Sequence, residues 1–211
     1  DETIDALNIY EAKYKKQNIP FIVMRIACNR AEGRNKAIER ASHQIIAVSD
    51  AGCSLHKDWL QNISKHFENR SVDVVAGFYT SGAKSVFQKC VATYTCVMSD
   101  KLNDSFLPSS RSVAFRKASW QRVGGYSEHL DYCEDLVFAR SMKDNGLRFL
   151  VDEKAYVIWP QVTSWLAAAK QFFMYARGDG QALYVRPQTP FLFGRYAVAV
   201  IGLVAGYYVP I

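Results

Sequence analysis

Short apolar runs that read as strands alternate along this chain with segments whose apolar residues recur at helical spacing. That alternation restricts the fold more than any other feature. Ile4, Leu7, Ile9 and Tyr10 form an approximate helical stripe, and residues 19–24 then read as a short buried strand. Residues 34–42 carry Ala37, Ile38 and Ala41 on one side of a helix, and residues 44–49 make a second apolar strand ending at Asp50. Trp59, Leu60, Ile63 and Phe67 give another helix face, followed by a third strand over residues 72–79. Strands separated by helices imply βαβ units, so the expectation is an α/β domain with a mostly parallel sheet flanked by helices over residues 1–185.

Composition excludes several other classes. With 49% hydrophobic and 22% charged residues, 12 Gly and 6 Pro in 211 residues, the chain is neither disordered nor of low complexity, and its length suits one sizeable core. Cys28, Cys53, Cys90, Cys96 and Cys133 contain no C-x-x-C pair, which argues against a disulfide scaffold or structural zinc and for a reducing compartment. His43, His56, His66 and His129 show no metal-ligand spacing. The net charge is +6, but the basic residues form no run interleaved with aromatics, so a nucleic-acid partner is not expected.

The charge is uneven. After Glu153 the chain has Lys154, Lys170, Arg177, Arg186 and Arg195 against the single acid Asp179. It closes on an uncharged apolar stretch, residues 196–211, which reaches spanning length only if residues 191–194 are added across Arg195. Residues 186–211 thus read as a basic, apolar tail that begins a membrane segment, or else as a buried terminal element. Basic residues before a span would place the preceding domain in the cytoplasm.

Ligands of α/β sheets collect beyond the carboxyl ends of strands, where Asp50-Ala51-Gly52 falls. A carboxylate followed by two small residues leaves room for a phosphate-bearing ligand and offers a hard oxygen to Mg²⁺ or Mn²⁺; it is equally a turn or capping residue. In the second half, residues 112–116 alternate as a strand, Gly124-Gly125-Tyr126 permits close backbone approach, and Glu134-Asp135 open a helix ending near Asn145-Gly146. Carboxylates there either cap the helix or hold a general base ionised. Tyr126, Tyr132 and Trp159 are candidates for stacking on a sugar or for core packing.

Taken in order, Arg34-Asn35-Lys36-Ala37-Ile38, Asp50-Ala51-Gly52-Cys53, Trp59-Leu60, the stretch from Pro108 through Ser112-Val113-Ala114-Phe115-Arg116 to Lys117, Gly124-Gly125-Tyr126 and Glu134-Asp135 resemble glycosyltransferase family 2. The resemblance covers about residues 1 to 180, and Asp1-Glu2-Thr3 looks like the end of a family segment that follows the second strand. It implies a GT-A fold whose first strand lies outside this chain, so that activity would need a longer one. It also implies a nucleotide-diphospho-sugar donor, a hydroxyl acceptor that is a glycan or is lipid-linked, and inversion at the anomeric carbon. A role in cell-envelope polysaccharide synthesis would follow.

Residue by residue, Asp135 matches the family's base, with Glu134 beside it. Asp50 matches the first acid of the D-x-D motif that contacts the sugar nucleotide and its Mg²⁺ or Mn²⁺, while Gly52 replaces the second acid. Arg34, Asn35, Ala51 and Gly52 fall near the donor, and Ser112, Gly125 and Tyr126 at the acceptor and sugar. Arg177 resembles a cation that closes over the diphosphate; alternatively it neutralises its helix end or meets phospholipid. Two other readings stand beside the transferase. One is a non-catalytic, nucleotide-binding relative. The other is a phosphotransferase using Asp50 as nucleophile, which lacks the second acid and the isolated Lys such chemistry wants.

Overall fold

The computed structural model describes residues 3–103, 106–186 and 189–208; Asp1, Glu2 and the last three residues of the apolar tail lie outside them. The α/β class is as expected. Five strands, β1 (Ile45–Val48), β2 (Ser54–Leu55), β3 (Val74–Ser81), β4 (Val113–Arg116) and β5 (Phe149–Trp159), form one sheet in the order β1-β4-β3-β5-β2. Its helices are α1 (Thr3–Lys15), α2 (Arg30–Arg40), α3 (Trp59–Ser64), α4 (Val86–Thr95), α5 (Lys117–Arg122), α6 (Glu134–Asp144), α7 (Trp165–Gln181) and α8 (Thr189–Tyr208).

The sheet is mixed, which corrects the expectation of a mostly parallel one. β4 lies antiparallel between β1 and β3, β2 is antiparallel to β5, and only β3 and β5 pair in parallel. Strands β1, β3 and β5 therefore run the same way, and inserting β4 keeps β1 and β3 apart. The carboxyl ends of β1 and β5 share one edge of the sheet with the start of β4.

Side-chain alternation sorts the core onto two faces. Val74, Val113 and Phe115 meet Ala31 and Ile38 of α2 and Phe138 and Met142 of α6 on one face. Val75, Ala114 and Val157 meet Trp59 and Ile63 of α3 on the other. Leu60, counted with that helix face from sequence, points to solvent instead.

Residues 19–24 are not a strand. They run without regular structure, with Ile19 and Ile22 exposed. A strand exists only as part of a ladder, and among the described residues none pairs with this run.

Within the tail, Thr189–Tyr208 is helical. Helix α8 continues across Arg195 for 20 residues with a mean hydropathy of 1.5, and none of that window is buried. At 1.5 Å per residue it is about 30 Å long, the thickness of a bilayer's hydrocarbon core.

Candidate active site

The site begins where β1 ends. Asp50 opens a turn closed by the Cys53 amide donating to the Asp50 carbonyl, with Gly52 at φ +87°. Helix α2 starts beside it, its first turn capped by the Asn29 side chain, which accepts from the Glu32 amide. Helical spacing puts Arg30, Gly33 and Arg34 on one face, and all three line a cleft of about 740 Å³ together with Ser49, Asp50, Ala51, Arg111, Trp159 and residues of α7.

Arg34 is the hub of this cleft. One guanidinium nitrogen donates to Asp50 Oδ1 and another to Glu134 Oε1, each at 2.6 Å. Glu134 is buried, at 3% exposure, so its charge depends on that partner. Burial alone would lower the Arg34 pKa, but the Asp50 charge and the bonds to Glu134 and Asp50 outweigh it and hold the guanidinium firmly charged.

Asp135 follows Glu134 in the first turn of α6. Cys133, which precedes them, takes the left-handed conformation at φ +67°, turning the chain sharply into the helix. The Leu136 amide donates to Asp135 Oδ1 at 2.8 Å, and the Ser110 amide approaches Oδ2 at 3.4 Å. Burial, reinforced by the Glu134 charge, pushes the Asp135 carboxyl above its ordinary value, against the pull of Arg111 and Arg34.

Three further cations face the cleft. Arg111 stacks on Trp159, 3.8 Å from the ring centroid, and Arg30 lies over Tyr132 at 4.3 Å. Lys170 joins them from α7. Among the described residues none of the three has a carboxylate within ion-pair distance. Ser49 Oγ and Gln171 Oε1, also on the wall, are the buried side-chain polar atoms left without a partner among the described residues. Unpaired cations and orphaned polar atoms on one concave surface suit a polar anion.

The model of Glycosyl transferase family 2 matches residues 1–123, more than half of the chain. The chain belongs to glycosyltransferase family 2. Its fold is similar to that of the mannosyltransferase PcManGT from Pyrobaculum calidifontis, solved with GDP-Man and Mn²⁺. That match has TM-score 0.67 and 16% identity over 100% of this chain and 64% of that one. TarS of S. aureus, residues 1–349, matches with TM-score 0.58 and 13% identity over 85% of this chain and 59% of that one. The same protein with UDP-GlcNAc matches with TM-score 0.54 and 17% identity over 78% and 47%. The chain thus spans less than two thirds of the length of each of these neighbours. No curated protein sequence matches it significantly.

Within this family 2 domain the structure brings together Arg34, Asp50 and Ala51 on the cleft wall, with Glu134 bonded to Arg34 and Asp135 at the next position. Other residues expected at the site lie elsewhere. Asn35 is a buried clamp for the 124–126 loop: its Oδ1 accepts from the Tyr126 amide and Trp120 Nε1, and its Nδ2 donates to the Tyr126 carbonyl and Glu128. Gly125 fits only because it has no side chain, since a Cβ would sit 2.8 Å from Asn35 Oδ1. Tyr126 is buried, its ring stacked on Phe138 and its hydroxyl bonded to Ser110, so it presents nothing to an acceptor. Ser112 is also interior, donating to the Ala155 carbonyl and accepting from Trp59 Nε1. Gly52 is exposed and outside the cleft lining, as is Arg177.

Sequence reasoning gave no site role to Arg30 or Lys170, nor to Arg111, although Arg111 lies inside the 108–117 motif that carries the resemblance. Arg30 stands one helical turn before Arg34, a spacing that could have revealed it. Arg111 adjoins the strand pattern of residues 112–116, which draws attention to the alternation and away from the residue before it.

Proposed function

We propose that this protein transfers a sugar from a nucleotide-diphospho-sugar to a hydroxyl acceptor with inversion. The observation that carries this is geometric: in a family 2 chain, Arg34 ties Asp50 on the cleft wall to Glu134, the neighbour of Asp135, and Arg30, Arg111 and Lys170 of the same cleft have no carboxylate partner among the described residues. The acceptor hydroxyl loses its proton to Asp135 Oδ2, the less firmly held of its two oxygens, as its oxygen bonds to the anomeric carbon and the bond from that carbon to the diphosphate oxygen breaks. The Arg34 bond to Glu134 balances the charge next to this base. Arg111, with Arg30 and Lys170, supplies positive charge to the departing diphosphate, the part first assigned to Arg177.

The donor set fits a divalent ion that arrives with the nucleotide. Among the described residues there is no group of three or more potential metal ligands, and Asp50 is the one carboxylate lining the cleft. Asp50 would hold Mg²⁺ or Mn²⁺ with diphosphate oxygens and waters completing the oxygen shell. When bound, the ion neutralises the leaving group. The ligands named for the structural neighbours, GDP-Man with Mn²⁺ and UDP-GlcNAc, are of the proposed donor class. Helix α8 and the basic residues preceding it support a membrane-associated protein with this domain facing the cytoplasm and a glycan or lipid-linked acceptor.

The test uses a longer chain that includes the first strand, and reads nucleoside diphosphate release in detergent or membranes from a panel of UDP-, GDP- and dTDP-sugars with Mn²⁺ or Mg²⁺, beside Asp135→Asn and Asp50→Asn. Metal-dependent release that disappears in Asp135→Asn is the expected result. Nucleotide binding without release from any donor would instead identify a non-catalytic relative.

A further inference from the structure

Helix α7 carries its apolar residues on the outside. Trp165, Leu166 and Phe173 are 81%, 82% and 68% exposed, and Phe172 is 38% exposed. With Ala169 and Ala176 they occupy one arc of the helix, bordered by Lys170 and Arg177. The opposite arc, including Gln171, Met174 and Tyr175, lines the cleft. Helix α4 widens the bare face: Phe87 meets Trp165 edge-on at 4.9 Å, Tyr94 meets Phe172 edge-on at 6.3 Å, and Val86 and Tyr94 are themselves exposed.

Resting on the membrane reading of α8, we propose that the α4–α7 face seats itself in the headgroup layer of an anionic bilayer, so that the cleft opens at the membrane surface. A contiguous aromatic surface of this kind marks an interaction site. Its composition selects the partner: Trp, Tyr, Phe and Leu in the centre, with the exposed Arg177 at the border, a side chain long enough to cover apolar surface and bring its head to a lipid phosphate. The outer arc carries no carboxylate, since Asp179 turns inward to accept from the Cys133 thiol and pair with Arg186. The chain passes from this helix, which ends at Gln181, into the candidate span at Thr189. This placement also explains why Arg177 lies outside the cleft.

The seating reaches the catalytic helix. Gly178 packs so closely on Tyr132 that a Cβ there would come within 2.6 Å of it, and Asp179 holds Cys133, two residues before Asp135. A bilayer that fixes α7 therefore fixes the approach to α6.

The chain has four tryptophans, Trp59, Trp120, Trp159 and Trp165, and none in α8, so the proposal can be read by fluorescence. The full chain is placed in nanodiscs of phosphatidylcholine and phosphatidylglycerol with brominated acyl chains, beside Trp165→Phe. Strong quenching that Trp165→Phe largely removes is expected. Pairing Leu166→Glu with Phe173→Glu should weaken the Trp165 quenching while leaving the thermal shift produced by UDP or GDP unchanged. Equal quenching in wild type and Trp165→Phe, or a stable dimer in detergent that shields the face, overturns the proposal. If the protein resists carbonate extraction while Trp165 stays unquenched, the face assignment fails and the membrane reading stands; if carbonate releases the protein, both fail.

Discussion

Arg34 joins two carboxylates that belong to different parts of the chain, one ending β1 and one opening α6. Arg34→Ala leaves Glu134 charged and buried without its partner, and chemical denaturation should show a loss of about 3–5 kcal/mol. Replacing Arg34 and Glu134 together by Met and Leu should recover much of that loss, which a double-mutant cycle measures. Asp135→Asn should lower kcat by about 10²–10⁴-fold, the range of general-base contributions. A general base works ionised, so if Asp135 is the proposed base kcat/KM should rise with pH through a midpoint above the ordinary carboxylate value, because burial raises the Asp135 pKa. Stability runs the other way: the contribution of a raised carboxyl is present at low pH and lost as pH rises through its folded pKa. Asp135→Asn keeps the neutral form, so at pH 7 it should melt no lower than wild type.

Among the elements, β3 is the most tightly constrained. Its register to β5 jumps from Ala76↔Val151 to Phe78↔Tyr156, and Gly77 sits in the gap, where a Cβ would come within 2.0 Å of Ser112 Oγ and 2.5 Å of the Ala155 carbonyl. Gly77→Ala should break the Ser112 bond to Ala155 and cost about 1–3 kcal/mol or more by overpacking, read from the urea midpoint. The same irregularity explains why β5 escaped sequence reading. Asp152-Glu153-Lys154 interrupts its apolar run, and those residues leave the ladder, Glu153 and Lys154 exposed and Asp152 largely covered as it bonds His66 and Lys65. Strands with a clean apolar pattern, β1, β3 and β4, were legible within a few residues, as was the start of α6. Antiparallel insertion of β4 was not, because strand order depends on contacts distant in sequence. At the site, Asp50 and Glu134-Asp135 were legible as motif residues, whereas Asn35 and Tyr126 belong to the same motifs and turn out to hold a loop rather than face the cleft.

At the scale of the molecule, a folded α/β body gives way to an exposed apolar helix. If α8 spans a bilayer, a charge at its middle should oppose insertion: Val198→Arg costs about 2.5–3.5 kcal/mol at a helix centre and should shift the protein toward the carbonate-soluble fraction. Helix α7 stands between these two regimes, with one side walling the cleft and the other bare. Most surface helices have a side on which substitutions drift freely; if the outer side of α7 meets a bilayer, this helix has almost none. In a saturation library scored for activity in membranes, α7 should tolerate change no better than a core strand, even at positions such as Leu166 and Phe173 where solvent exposure would ordinarily promise latitude. Its inner and outer positions should separate only when the library is rescored for nucleotide binding in detergent, where the outer residues become free to vary.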